Sequence, residues 1–300
     1  MLLPATEKLP QEPAIDTRAP LDAAAFLLHG QQAALDAVGQ ATRDLERGAD
    51  IMATAIRSGK SIHYFAAGSS GLMALADACE LPGTFGISAA AIHIHMAGGV
   101  PTDAVMPGAT EDDDKAAQTS AMTISQGDVA IVLSASGSTP FALAAAKQAL
   151  AQGAQVIALA NNPGTPLLDL AQVAICLETP SEVIAGSTRL GAGTAQKAAL
   201  NLMSTLMGIK LGHVYQGHMV NLVADNAKLM QRALAIVADI AGVSRPVAQA
   251  ALATAQGQTK PAILVAAGIE ISAAEALLKT HNGHLGRCFY AIKPNQDVTV

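Results

Sequence analysis

DVAIVLSASGSTP, Asp128 to Pro140, holds the reading of the whole chain in one short stretch. Its first half is a continuous apolar run, too short for a buried helix and suited to a strand covered on both faces. Its second half is a run of small residues and hydroxyls. The segment that follows, Thr139–Gln152, has helix length and helix periodicity. Further apolar runs stand at Ile62–Ala66, Ile87–His95, Gln155–Ala160 and Gln172–Leu177, separated by helix-like segments. Strands alternating with helices predict an α/β fold, a doubly wound, flavodoxin-like parallel sheet with helices on both faces.

The rest of the chain falls around that sheet. Residues 1–20 carry four prolines and read as an extended arm. A helical rhythm runs over residues 21–58 and stops at Gly59. The division expected is an N-terminal arm with helices over 1–58, a parallel-sheet domain over 59–237, and a small helical C-terminal domain over 238–300. Residues 192–235 read as a long helical region punctuated by Gly212 and Gly217. Residues 241–290 read as three short helices, in which KPAILVAAG fits a strand equally well.

Composition removes several classes of function. Apolar residues make up 51% and charged residues 14%, which describes a folded globular chain. Net charge is −6 and no basic block occurs, so no nucleic-acid partner is expected. No apolar run approaches the roughly 20 residues of a membrane helix, and the N-terminus lacks a signal-peptide layout. Cys79, Cys176 and Cys288 have neither metal-ligand nor disulfide spacing, which points to reduced thiols and a cytoplasmic protein. His93 and His95 share one face of a strand. Two imidazoles there can bind a metal, but no carboxylate or cysteine is near in sequence, and a half-buried hydrogen-bonded pair is the plainer reading. No metal and no cofactor are expected.

Two strand-to-helix junctions look alike. One is Tyr64-Phe65-Ala66-Ala67-Gly68-Ser69-Ser70-Gly71, the other Val132-Leu133-Ser134-Ala135-Ser136-Gly137-Ser138-Thr139-Pro140. Glycine lets backbone approach a ligand. The free N–H groups at a helix start favour an anion. In a doubly wound sheet these loops lie where ligands bind. Neither loop is a Walker A or a dinucleotide fingerprint. Ser and Thr also cap helices in the ordinary way, but two such loops favour a phosphate. Glu80 follows the first loop by one helix's length. A third polar segment, Glu182 to Lys197, holds Ser187, Arg189 and Lys197 and leads into a long helix.

Together these segments resemble the sugar isomerase (SIS) domain, and within it the N-acetylmuramic acid 6-phosphate etherases. The resemblance runs from about Thr6 to Arg287. It is carried by AGSSG, DACELPGTFG (Asp77–Gly86), SASGSTP, and EVIAGSTRLGAGTAQK with the LNLMSTLMGIKLG that follows. It implies that Ser70, Ser134, Ser136 and Thr139 are phosphate ligands. Gly68, Ser69, Gly137, Ser138, Glu182, Ser187, Arg189 and Lys197 lie in the same motifs and are candidate ligand contacts. It also implies that Glu80 is an acid–base residue, and that the protein is a homodimer. In the etherases the D-lactyl ether at C3 of the sugar is eliminated and water is then added. A base takes the C2 proton and an acid helps lactate leave.

The sequence departs from the family at several points. The family's A-V-E-x-A-E-D reads Ala104 to Asp112 here, with the first glutamate falling on Pro107 or Gly108 and the last pair matched by Glu111-Asp112. Two arginines are absent at Gly71-Leu72 and Ser136-Gly137-Ser138, and a lysine is replaced at Gly191. Three readings follow. The first is a carbon-oxygen lyase with Glu80 and Glu111 as catalytic pair. The second is a phosphosugar aldose–ketose isomerase using Glu80. The third is a phosphosugar sensor without turnover. For Glu111–Asp114, a solvated helix start is the plain alternative.

Overall fold

The computed structural model describes residues 4–9, 14–222 and 226–292. In chain order the elements are α1 (Pro20–Gln40), α2 (Thr42–Arg57), β1 (Ile62–Ala66), α3 (Gly68–Ala78), α4 (Leu81–Phe85), β2 (Ile92–Met96), α5 (Asp114–Ala121), β3 (Val129–Ser134), α6 (Pro140–Ala151), β4 (Gln155–Ala160), α7 (Pro166–Asp169), β5 (Val173–Cys176) and α8 (Gly191–Lys210). They continue with β6 (Val214–Tyr215), β7 (His218–Met219), α9 (Ala227–Ala241), α10 (Arg245–Thr254), α11 (Thr259–Ala266), α12 (Ile271–Thr280) and α13 (Leu285–Ile292).

Two compact units form. The first takes residues 1–79 and 90–205, the second 80–89 and 206–300. The N-terminal helices belong with the sheet, because α2 packs on β1, β3 and β5, rather than standing apart over 1–58.

The first unit is a five-stranded parallel sheet in the order β2-β1-β3-β4-β5. Every residue of β1 and β3 is buried, as double-sided cover requires, while edge strand β5 alternates and edge strand β2 is half-buried. Phe65, Ala130, Val132, Val156 and Ala158 face α5 and α6, which meet them with Ala117, Ala121, Phe141, Ala142, Ala145 and Ala149. α2 and α3 pack against the opposite side. Alanine at these contacts lets helix backbones approach. At Gly48 a Cβ would lie 2.5 Å from the Met203 sulfur, so α2 reaches α8 only without a side chain there.

The second unit is helical. Its core draws on Val220, Leu222, Leu234, Val237, Leu252, Ile263, Leu264 and Leu285. Asn221 donates to the Phe85 carbonyl at 2.9 Å, tying the 80–89 segment in. The expected helix over 192–235 is broken by the β6–β7 hairpin, with Gly212 and Gly217 at positive φ. KPAILVAAG is helix α11, not strand, because Ile263 and Leu264 both face the core. A fourth tail helix, α13, joins the three expected. The second apolar run is a strand only from Ile92, with a 3-10 turn at Ala89–Ala91 before it. Among the described residues no single helix is long and apolar enough to cross a membrane.

His93 and His95 are joined by a third histidine. His63 Nδ1 lies 3.1 Å from His95 Nε2, its ring stacks on His93 at 4.4 Å, and its Nε2 lies 3.4 Å from Asp128 Oδ2 without hydrogen-bond geometry. Among the described residues no group of three or more His, Cys, Asp or Glu could hold a metal. Burial, and then mutual repulsion, lowers His63 and His95 to about 4. The fold therefore keeps both rings neutral while the unfolded chain, near 6.5, accepts protons. The stability they contribute is whole above about pH 6.5 and is lost as pH falls toward 4. The urea midpoint should drop between pH 7.5 and pH 5, and His95→Phe, stacked on Phe65, should flatten that drop. An unchanged pH slope in the variant would remove the cluster as its source.

Candidate functional site

The site begins with register. Ala66 pairs with Leu133 and Ser134 with Ala160, so β1, β3 and β4 end side by side and their loops leave one sheet edge. The first loop turns directly into α3, with Gly68 at φ +54 as its first residue. The first amides of a helix lack intrahelical partners, and this start carries Ser69 and Ser70.

The second loop gathers hydroxyls. Ser134 Oγ lies 2.8 Å from Thr139 Oγ1 and 3.3 Å from Ser136 Oγ. The Gly137 amide donates to Ser134 Oγ at 3.0 Å, and the Ser138 amide and hydroxyl both donate to Ser136 Oγ at 3.2 Å. Gly137, at φ +69, makes the turn. Its α-carbon rests on Thr165, whose Oγ1 would lie 2.2 Å from an added Cβ. The Thr165 hydroxyl is buried and has no hydrogen-bond partner among the described residues.

Glu111 joins the two loops. Its Oε1 stands 2.7 Å from where a Cβ on Gly68 would be, and its carbonyl accepts from the Phe141 amide at 3.0 Å, at the start of α6. A side chain at position 68 would expel that carboxylate. Glu111, Asp112, Asp113 and Asp114 are all exposed at or just ahead of the first residue of α5, as a solvated helix start requires, and Asp113 caps α5 by accepting from Ala116 at 2.9 Å. Pro107 packs against Gly98 and Gly108 is exposed.

The other sequence candidates are dispersed. Glu182 is 2% exposed and accepts from the Gly191 and Ala192 amides at 2.8 and 2.9 Å, so it caps α8. Burial pushes its carboxyl up, and those two amides oppose the shift. Gly191 leaves room for this, since a Cβ there would sit 3.2 Å from the Glu182 carboxylate. Ser187 and Arg189 lie in the turn before α8, with Arg189 exposed, and Lys197 is half-buried on α8. Glu80 is exposed at the start of α4 and belongs to the second unit.

Sequence reading passed over Asp77, although it lies inside the quoted DACELPGTFG. It is 1% exposed and accepts from Asn201 at 2.7 Å, Ser204 at 3.1 Å and the Tyr64 hydroxyl at 3.2 Å. It thus pins α3 to α8. Burial raises its carboxyl, against the hydrogen bonds and the nearby Lys197 charge. An acid in the middle of an apolar run was the available signal.

A parallel sheet carrying hydroxyl-lined loops at one edge defines the class, and residues 28–161 match the model described as SIS domain. The chain is 40% identical over 228 residues to the N-acetylmuramic acid 6-phosphate etherase of Thermobifida fusca (strain YX), covering 76% of this chain and 75% of that one. It is 37% identical over 252 residues to the enzyme of the same name from Cronobacter sakazakii (strain ATCC BAA-894), covering 83% and 85%. The chain belongs to the N-acetylmuramic acid 6-phosphate etherase family. A capsule-formation protein of Bacteroides fragilis NCTC 9343, named as a phosphosugar isomerase, shares the fold with a TM-score of 0.52 and 17% identity, over 66% of this chain and 95% of that one.

Gly137→Ala tests the second loop. The new methyl meets Thr165 in a backbone region costing about 1–3 kcal/mol for other residues, and the Gly137 carbonyl is held by the Leu167 amide at 3.1 Å. The variant should melt several degrees lower and lose ligand binding. Wild-type melting together with wild-type binding would contradict this account of the loop.

Proposed function

We propose that the protein is an etherase-type lyase acting on N-acetylmuramic acid 6-phosphate or a closely related amino-sugar phosphate. The observation that carries the reading is the Glu111 carboxylate resting on the first phosphate loop, in a chain that belongs to the etherase family. Ser134, Ser136 and Thr139 supply converging hydroxyls for the phosphate, and the start of α3 supplies amides. Among the candidate ligand contacts the Glu182 carboxylate is left out, since both its oxygens are engaged.

In this reading the phosphate is the anchor and the reacting carbons lie beyond it. A carboxylate takes the C2 proton of the open-chain sugar. The C3–O bond breaks as the C2–C3 double bond forms, a proton reaches the departing lactate oxygen, and water then adds at C3. Glu111 and Glu80 are the carboxylates assigned to these proton transfers, with Glu111 or a neighbouring Asp substituting for the family's first glutamate, which falls on Pro107 or Gly108 here. The isomerase reading needs only one such base at C1 and C2. It is the second choice.

The finer features belong to the same proposal. The three cysteines are free thiols, which supports a reducing, cytoplasmic setting. Homodimer formation is supported by Leu21, Leu28 and Leu35, seven residues apart on α1 and 85%, 59% and 45% exposed.

Incubation with N-acetylmuramic acid 6-phosphate should release D-lactate, and Glu111→Gln should lower kcat by about 10²–10⁴ with the fold intact. Aldose–ketose interconversion without lactate would favour the isomerase, and binding without any turnover the sensor. By light scattering the wild type should have twice the chain mass, and Leu28→Glu should shift it toward the monomer. A monomeric wild type removes the α1 interface.

A further inference from the structure

The described start of the N-terminal arm, residues 4–9, is not a free extension. Its 3-10 turn, Ala5–Glu7, is seated at several points on the sheet edge. The Ala5 amide donates to Asn162 Oδ1 at 2.8 Å. Asn162 Nδ2 donates to the Ala135 carbonyl of the second loop at 2.9 Å, and to Thr6 Oγ1 at 3.4 Å. Thr6 is fully buried, and its carbonyl accepts from Gly186 at 3.0 Å. The arm therefore straps the hydroxyl loop, through Asn162, to the segment that leads into α8.

Lys8 follows the strap immediately. It lines a cavity of about 1110 Å³ whose wall includes Ser136, Ser138 and Ser181. Among the described lining residues it is the only lysine or arginine, and Glu178 is the only acid. Lys8 is exposed, and among the described residues no hydrogen bond or ion pair holds its ammonium, not even with Glu178. The Lys8 ammonium therefore shares a cavity with the Ser136 and Ser138 hydroxyls, on a backbone held by the Ala5 and Thr6 bonds, where it can meet an anion arriving at that loop.

We propose that the strap is part of the ligand site and that Lys8 is its cation, contacting the phosphate of a sugar phosphate held by the second loop. Neutral loops recognise the shape of a phosphate, and a lysine adds the charge, at the cost of a strong salt dependence. This inference rests on the phosphosugar reading above.

Calorimetric titration with glucosamine 6-phosphate at two ionic strengths tests it. Lys8→Gln should bind roughly tenfold more weakly, as expected for a charged hydrogen bond lost, with a shallower salt dependence and an unchanged melting temperature. Lys8→Arg should restore most of the affinity. If the wild type binds and Lys8→Gln binds equally well, the role of Lys8 is overturned and the phosphosugar reading stands. If the folded wild type binds neither glucosamine 6-phosphate nor N-acetylmuramic acid 6-phosphate, the phosphosugar reading falls and the role of Lys8 falls with it.

Discussion

The registered ends of β1, β3 and β4 are the constraint on which the site depends. In a parallel sheet every strand runs the same way, so every strand-to-helix loop leaves the same edge. Hydrogen bonding aligns Ala66 with Leu133 and Ser134 with Ala160. Two hydroxyl loops far apart in sequence then become neighbours. A slip of one residue would turn Phe65 and Val132 to the wrong face and unseat the α5–α6 layer. The hydrophobic core and the edge that carries the hydroxyl loops are therefore set by the same register.

Polar groups inside this alanine-rich core are few and used structurally. Asp77 holds α3 to α8, Glu182 closes the α8 N-terminus, and Asn162 links the second loop to the N-terminal strap. Each buried carboxylate accepts several hydrogen bonds, which offsets part of its desolvation. Their common effect is to immobilise the frame around the loops. Ser136 and Ser138, by contrast, are left half-buried or exposed at the cavity wall, with hydroxyls that can turn toward a ligand. A ligand site needs that asymmetry: rigid surroundings and available donors.

The α/β class, the parallel sheet and the two hydroxyl loops were legible because each rests on local pattern. DVAIVL is buried on both faces, and a continuous apolar run says so without any knowledge of its neighbours. The readings left open or misplaced lie where local pattern is ambiguous. KPAILVAAG is apolar and short, and only its packing between α10 and α12 makes it a helix. The Ile87–His95 run begins its strand late because β1 offers partners only from Ile92 onward.

Residue identity placed Ser134, Ser136, Gly137 and Thr139 on one loop, since they are adjacent in the chain and any strand-to-helix turn keeps them together. It also supplied Glu111 as the head of an acidic run, and gave no reason to single out Lys8. What those charges meet was decided by tertiary structure alone. Glu111 reaches Gly68 across 43 positions only because β2 folds beside β1, and Gly68 has no side chain to block it. Lys8 shares a cavity with the Ser136 loop only because Asn162 and Gly186 hold the arm across the sheet edge. Glu182, a ligand candidate by sequence, became a helix cap when Gly191 and Ala192 presented their amides to it. Contacts between distant residues depend on where the backbone carries them, and periodicity and motif do not contain that information.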